Sequence, residues 1–396
     1  MSAALAGIRV LDLSRVLAGP WASQLLADLG ADVIKVERPG CGDDTRQWAP
    51  PALADGRAAY FLGTNRGKRS LTVDIARPEG QEIVRQLARR ADVVVENYKV
   101  GALARYGLDY ASLAAFNERL VYCSISGFGQ DGPYRNRPGY DYIMQGMSGL
   151  MSVTGPADGE PHKVGVAMVD LVTGLYAANA IQAALIARQT SGRGQYIDMA
   201  LFDCALAMLA NINMNWLVGG TVPPRLGNAH PNIVPYQVFA AADGHFILAC
   251  GNDVQFGAVC RVLGRTELAA DARYARNADR VARRAELCAE LALEFARAGR
   301  DHWLAALDAA GVPCGPINTV DQALSDEQAR HRGMCFALRD ADGVEVPMVA
   351  CPIRLSQTPV SYRLPPPRLG EHGAAILAEL GYDDKRIEQL RTMGVI

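Results

Sequence analysis

Short apolar runs alternate with amphipathic helical segments along the first part of the chain. β-Branched apolar runs predict strands, and apolar residues at helical spacing predict helices. The predicted strands are Ile8–Leu13, Ala31–Glu37, Leu71–Ile75, Asp92–Glu96 and Leu120–Ile125, and helices are predicted at Gly19–Leu29 and Pro78–Arg90. Strands separated by helices pair in parallel through right-handed crossovers. The pattern therefore predicts an α/β fold with a Rossmann-like domain.

The following segment begins with a long Gly/Pro/Asn-rich loop at 126–140, and loops of this length inside a domain are usually functional. The predicted elements after it are helices 141–150, 170–189 and 203–218 and a strand at Gln195–Ala200. The apolar stretch Val169–Ala187 includes Asp170, Asn179 and Gln182, which favours a buried helix over a membrane span.

A change of composition at 219–236, with four prolines and three glycines, predicts a domain linker. Beyond it, hairpins are predicted at 237–250 and 336–347, helices between 254 and 329, and two short helices near the C-terminus. A chain of 396 residues exceeds the size of one compact core, so we expect two or three domains.

Charge and cysteine usage exclude several classes of protein. A formal net charge of −2 argues against nucleic-acid binding through net charge. The nine cysteines are scattered singly without a C-x-x-C pair, which predicts reduced thiols in a cytoplasmic protein. The N-terminal sequence has no signal-peptide pattern. No histidine has a partner at ligand spacing, so we predict no metal site.

The first strand–helix turn, from Ser14 to Pro20, lacks G-x-G-x-x-G, which argues against a nicotinamide or flavin dinucleotide. Arg38 follows the second strand, where dinucleotide folds use arginine to meet an additional ribose phosphate, and coenzyme A carries such a phosphate. The alternative for Arg38 is a surface residue paired with Glu37.

Asp170 is the most informative single residue, because it lies where an extended glycine-containing segment meets the long apolar helix. One interpretation is a helix N-cap, a common role for aspartate. The other is a carboxylate nucleophile in a pocket of backbone amides and small residues. Asp141, at the start of the preceding helix, is open to the same capping interpretation.

Short motifs along nearly the whole chain are similar to those of the class III CoA-transferases, the family of formyl-CoA transferase and the carnitine CoA-transferases. They are IRVLDLSRVLAGP, GADVIKVERPG, GDDTR, NRGKRSL, DVVVENY, SISGFGQDGPY, VDLVTG, SGRGQYIDMALFD, VPCGPI and LGEH…LAELGY…GVI. Several short matches in the right order are more specific than any one of them.

The resemblance implies a homodimer of two interlocked rings. It also implies a large Rossmann-like CoA-binding domain of residues 1–200 and 330–396, with a smaller inserted α+β domain at 225–328. Residues 201–224 would be the linking helix and loop. Some family members close the site with a mobile run of glycines, whereas 227–236 here reads GNAHPNIVPY.

The resemblance also assigns the site. The catalytic aspartate of the family falls on Asp170. By position, the CoA contacts fall on Val16, Ala18, Arg38, Val73, Asn97, Tyr98 and Arg105. The substrate pocket would include Tyr140, Asn228 and His230.

The implied reaction moves CoA from an acyl-CoA to a small carboxylic acid through an aspartyl mixed anhydride and an aspartyl-CoA thioester. With a pKa near the reference value of ~3.9, Asp170 would be ionised and need no general base. Backbone amides beside Asp170 would bind the oxyanion. The acyl-CoA is a substrate, and neither a metal nor a tightly bound cofactor is expected. Neither a membrane nor a nucleic acid is expected as a partner.

Two other functions remain open. In the related alpha-methylacyl-CoA racemase, a histidine base would fall on Tyr140, and tyrosine, with a reference pKa of ~10, is a poor base at neutral pH. A non-catalytic CoA-binding protein would leave Asp170 with no role beyond capping. Polar groups near Asn228 and His230, together with family habit, suggest the hypothesis of dicarboxylic acids with succinyl-CoA as donor.

Overall fold

The computed structural model of the chain describes residues 3–396. The strands are β1 (Arg9–Asp12), β2 (Asp32–Glu37), β3 (Lys68–Thr72), β4 (Val93–Glu96), β5 (Val121–Ser126), β6 (Tyr196–Ala200), β7 (Tyr236–Ala241), β8 (Gly244–Ala249), β9 (Cys314–Pro316), β10 (Cys335–Arg339) and β11 (Glu345–Val349). The helices are α1 (Ala18–Asp28), α2 (Ala59–Leu62), α3 (Pro78–Arg90), α4 (Tyr110–Ala114), α5 (Asp141–Met147), α6 (Leu150–Val153), α7 (Met168–Ser191), α8 (Leu201–Ala207), α9 (Asn211–Gly219), α10 (Asp253–Val262), α11 (Thr266–Ala270), α12 (Asn277–Ala282), α13 (Arg284–Phe295), α14 (Arg300–Ala309), α15 (Val320–Ser325), α16 (Glu327–His331), α17 (Gly373–Glu379) and α18 (Asp384–Thr392).

The chain divides into two compact units. The larger contains the N-terminal part up to Leu150, together with Val164–Gly220 and Glu327–Ile396. The smaller contains Met151–Lys163 and Thr221–Asp326. Helices α8 and α9, which the sequence placed in a linker, group with the larger unit.

A parallel sheet of six strands forms the centre of the larger unit, in the order β3-β2-β1-β4-β5-β6. Doubly wound dinucleotide-binding sheets have this order, and their ligands bind beyond the carboxyl ends of the strands. Both faces are covered, as parallel sheets require. In β1, Val10 packs in the cluster formed with α1 and α7, and Leu11 packs in the cluster formed with α3, α17 and α18.

Among the predicted elements that differ from the structure are a helix of the larger unit and the third strand. The helix predicted over 203–218 is two helices, α8 and α9, which are bent by 71° where Ala210 takes a positive φ of 44°. The third strand begins at Lys68 instead of Leu71. The apolar pattern did not predict the first residues of this strand, because Lys68 is charged and yet fully buried.

The smaller unit is an α+β structure. Strands β7, β8 and β9 form an antiparallel sheet. Its core is aromatic: Phe295 contacts the rings of Phe239, Phe246 and Trp303 with centroids 5.0–5.4 Å apart. The core also includes the fully buried Arg280, whose guanidinium donates to the Val234 and Tyr274 carbonyls. It also donates to Asp253, so all three of these hydrogen-bond acceptors belong to the smaller unit.

Helix α7 is long and apolar enough to cross a membrane by length and composition, a property that core helices share. One side is buried, with Val169, Ala177 and Ile181 in the core cluster that covers one face of the sheet. This side agrees with the buried helix predicted from the sequence. The other side leaves Tyr176 and Ile186 exposed.

Candidate active site

A cavity of about 320 Å³ opens beyond the carboxyl ends of β1, β4 and β5. Its walls come from the loops that follow these strands, from the 135–140 segment and from the first turn of α7. Asp170, Val16, Ala18, Asn97, Tyr98 and Tyr140 all line it. Six of the residues proposed from the sequence are therefore neighbours, although they are up to 154 positions apart in the chain.

Asp170 is the third residue of α7 and does not cap it, because the N-cap position is Ala167. The capping interpretation is therefore wrong. Burial raises the pKa of Asp170 to about 7, and the nearby charge of Asp141 contributes to the increase. The expectation of an ordinary carboxylate pKa near 3.9 is therefore also wrong, because burial and the charge of Asp141 favour the protonated form of this carboxyl.

The side chain of Asp141 caps α7 from a different helix. Its Oδ1 accepts hydrogen bonds from the amides of Val169, at 2.7 Å, and Asp170, at 3.3 Å. Its Oδ2 accepts from Nε2 of the fully buried Gln145, at 2.7 Å. The amides beside Asp170, predicted as oxyanion donors, are thus already engaged, and that prediction is wrong for this structure.

The first turn of α1 supplies a free amide at the same cavity. Within residues 3–396, the Ala18 N–H has no hydrogen-bond acceptor, and its helix has no side-chain cap. Gly174, one turn after Asp170, lets the two helices approach here, because a Cβ at 174 would lie 2.7 Å from the Ala18 carbonyl oxygen. The glycine of the VDLVTG motif therefore has a packing role that places α1 beside Asp170.

The turn at Arg15–Val16 is held in an unusual backbone conformation. Val16 has φ 70°, which is strained for a β-branched residue. The Asn97 side chain donates to the Arg15 carbonyl at 2.7 Å and accepts from the Arg15 amide at 2.9 Å. The Asp43 carboxylate accepts a hydrogen bond from the Val16 amide at 3.2 Å. Asn97 therefore positions this turn through its amide group, a role that the sequence did not reveal.

A buried charge network lies beneath the turn. Asp12, Lys35 and Lys68 are fully buried, with Lys68 Nζ 3.1 Å from Asp12 Oδ2. Asp12 also accepts from the hydroxyls of Ser14 and Ser23. Burial alone would raise the pKa of Asp12, but the two ammonium charges and the hydroxyl hydrogen bonds hold it at about 2.

A second cavity of about 270 Å³ adjoins the first, and Arg15, Asp44 and Tyr98 line both. Arg38, Val73 and Arg105 line the second cavity with Tyr98. Arg38 does not pair with Glu37, because Arg46 donates hydrogen bonds to both carboxylate oxygens of Glu37, each at 2.7 Å. Arg38 instead donates to Cys41 Sγ. The surface-pair interpretation of Arg38 is therefore wrong, and its role as a CoA contact stays a prediction.

Asn228 and His230 belong to the smaller unit and are not among the residues that line either cavity. There, the His230 ring lies 5.1 Å from that of Tyr236. Their role at a substrate pocket stays a prediction.

Sequence reasoning missed an aromatic pair, Trp48 and Tyr60, whose rings meet edge to face at 5.0 Å. Burial raises the pKa of the Tyr60 hydroxyl, and the charges of Asp170 and Asp141 raise it further, so this phenol lies within electrostatic range of the site. No short motif marks these residues. In residues 3–396, no group of three or more His, Cys, Asp or Glu side chains has a geometry suited to a metal ion.

Comparisons with known proteins give similar results for sequence and structure. The sequence model of CoA-transferase family III matches residues 5–373. A succinate–glutarate CoA-transferase of Agrobacterium fabrum is 55% identical over 381 residues, covering 95% of this chain and 95% of the relative. A succinyl-CoA:glutarate CoA-transferase of Mus musculus is 44% identical over 393 residues, covering 99% and 90%. A crystal structure of a CAIB/BAIF family protein from Brucella suis has a TM-score of 0.84 at 54% identity and covers 96% of this chain and 100% of that chain.

Proposed function

The chain belongs to CoA-transferase family III, and from this premise we propose that it transfers CoA from succinyl-CoA to a dicarboxylic acid such as glutarate. Relatives named for these substrates are 55% and 44% identical over nearly the whole chain. The observation that carries the proposal is the position of the Asp170 carboxyl in the cavity that the Val16–Ala18 turn also lines. A nucleophile and a CoA-binding turn are both needed at one place for this reaction.

The reaction proceeds by exchange at one carboxyl group. An Asp170 oxygen attacks the succinyl thioester, the C–S bond breaks, and CoA thiolate leaves a succinyl-aspartyl anhydride. The thiolate then attacks the aspartyl carbonyl and releases succinate, which forms the aspartyl-CoA thioester. Glutarate attacks this thioester and expels the thiolate to give a glutaryl-aspartyl anhydride. Thiolate attack on the glutaryl carbonyl releases glutaryl-CoA and restores Asp170.

The Ala18 amide is the donor for the thioester oxyanion in this proposal. It is unpaired and belongs to a residue that lines the cavity, whereas the amides of Val169 and Asp170 donate to Asp141. An anhydride hydrolyses in water, so the partly buried position of Asp170 also protects the intermediate.

Replacement of Asp141 by asparagine is expected to shift the pH dependence of kcat/KM. Asp170 must be ionised to attack, so activity rises as pH passes through its pKa of about 7. Asparagine keeps an oxygen for the Val169 and Asp170 amides but removes the negative charge that raises this pKa. The midpoint of the acid limb is therefore expected at lower pH, measured from initial rates between pH 5 and 9.

Asp131→Asn is the matched control, since Asp131 is exposed in the 126–140 loop and does not contribute to the raised pKa of Asp170. Its midpoint should equal that of the wild type. An Asp141→Asn midpoint that stays in place, or moves to higher pH, would contradict the electrostatic role.

The substrate assignment is tested by an acceptor panel with succinyl-CoA as donor. We expect glutarate and other dicarboxylates to be converted to their CoA thioesters, with products identified by chromatography and mass spectrometry. Transfer only to monocarboxylates would exclude the dicarboxylate assignment while leaving CoA transfer intact.

The family resemblance and the exposed surface together support a homodimer with interlocked chains as part of this proposal. Large apolar side chains remain uncovered on consecutive elements of the larger unit: Tyr142, Ile143, Leu175, Tyr176, Ile186, Leu206, Met214, Trp216, Leu217 and Val218. Leu217 and Val218, which are adjacent in α9, are 71% and 80% exposed, and large exposed apolar patches mark interaction surfaces. Sedimentation analysis should give twice the chain mass, and a folded monomer at low concentration would contradict interlocking.

A further inference from the structure

We propose that Arg137 binds the carboxylate of the dicarboxylic acid that does not react. The proposal rests on the proposed function, because a monocarboxylic acid would present no such group. It makes Arg137 a specificity-determining residue at the cavity that contains Asp170, and Arg137 lines that cavity.

Aromatic rings hold the Arg137 guanidinium in place. It lies over the Tyr134 ring at 4.6 Å and the Phe128 ring at 5.7 Å. These rings contact each other edge to face at 5.4 Å, and Phe128 packs against the core of the larger unit. These cation–π contacts fix the position of the guanidinium and use none of its N–H groups, which can bind a carboxylate through two hydrogen bonds.

The cavity contains positive charge that the protein does not neutralise. Arg15 pairs with Asp44, but Lys99, Arg135 and Arg137 form no ion pair in the part of the chain that the structure describes. Lys99, Arg135 and Arg137 line the same cavity as Asp170. A dicarboxylic acid with one carboxylate at Asp170 would place its second carboxylate in the same cavity, among cations that no protein carboxylate neutralises.

The adjoining cavity has its own cations, and both are predicted contacts of CoA. Arg38 and Arg105 line it, and both are exposed. Arg15 lies between the two cavities. The stacked Arg137 is thus available for the acid.

Arg137→Met is the direct test, with glutarate and valerate as acceptors of the same chain length and succinyl-CoA as donor. The ratio of the two kcat/KM values cancels any effect on the donor. We expect this ratio to fall roughly 10- to 100-fold, the usual loss for a hydrogen-bonded ion pair, through a higher KM for glutarate. Arg137→Lys should retain part of the preference because it keeps the charge. The dissociation constant of free CoA, measured by calorimetry, should stay within about twofold.

Arg193→Met is the control, since Arg193 is exposed in the larger unit and lines neither cavity. An unchanged acceptor ratio in Arg137→Met would overturn the proposal. Weaker CoA binding with equal losses for both acceptors would also overturn it and would assign Arg137 to a phosphate. If the wild-type enzyme accepts no dicarboxylate, it is the proposed function that fails, a result distinguishable from both of these.

Discussion

Replacement of Asp170 by alanine is expected to lower the turnover of CoA transfer by on the order of 10⁴-fold or more, because every step of the proposed exchange forms or breaks a bond to this carboxyl. CoA should still bind, with a dissociation constant within about threefold of wild type. The adjoining cavity, with its predicted CoA contacts Arg38, Val73 and Arg105, is not lined by Asp170, so the substitution leaves these contacts intact. Steady-state rates and calorimetric titration with CoA measure the two quantities independently.

Asp203→Ala provides a matched control for this substitution. Asp203 is also the third residue of its helix, α8, but it is exposed and lies outside both cavities. Its removal should leave turnover within about twofold. Retention of more than a trace of transfer in Asp170→Ala would assign the nucleophile to another residue.

The largest expected effect on stability comes from Asp12→Asn. This substitution keeps the shape of the side chain but leaves the fully buried Lys68 and Lys35 with less negative charge around them. Removing one partner of a buried ion pair typically costs about 3–5 kcal/mol. We expect a loss of that size in the free energy of unfolding, measured by urea denaturation at one fixed protein concentration, since unfolding of the proposed dimer would be coupled to dissociation.

Asp158→Asn is the comparison, because Asp158 is exposed in the smaller unit. Exposed substitutions usually change stability by less than about 0.5 kcal/mol. A loss in Asp12→Asn as small as that of the control would show that Asp12 does not balance the buried ammonium groups.

The parallel sheet was predictable because its strands are buried on both faces and therefore appear as continuous apolar runs, such as Val93–Val95. Helix α3 was predicted with the bounds that the structure has. The start of β3 at Lys68 was not predictable, since a buried lysine is compensated by Asp12, which lies 56 residues earlier. The bend between α8 and α9 also escaped prediction, because alanine at 210 does not signal a positive φ.

At the site, family resemblance supplied residues but not their interactions. It placed Asp170 and Asn97 at the cavity, whereas only the structure shows that Asn97 bonds both backbone groups of Arg15. The cap on α7 comes from Asp141, which accepts a hydrogen bond from the amide of Val169, 28 residues later in the chain. Burial, which raises the pKa of Asp170, is a tertiary property and cannot be read from neighbouring residues.

Chemical trapping of the acylated aspartate tests the central claim most directly. The enzyme is incubated with succinyl-CoA without acceptor and then quenched with hydroxylamine, which converts an acylated aspartate to its hydroxamate, or with borohydride, which reduces the thioester. Peptide mass spectrometry should find a single modified residue, Asp170, only when acyl-CoA is present. Modification at a different residue, or none while transfer proceeds, would contradict the covalent mechanism; a racemase or a passive CoA binder would likewise leave the carboxyl unmodified.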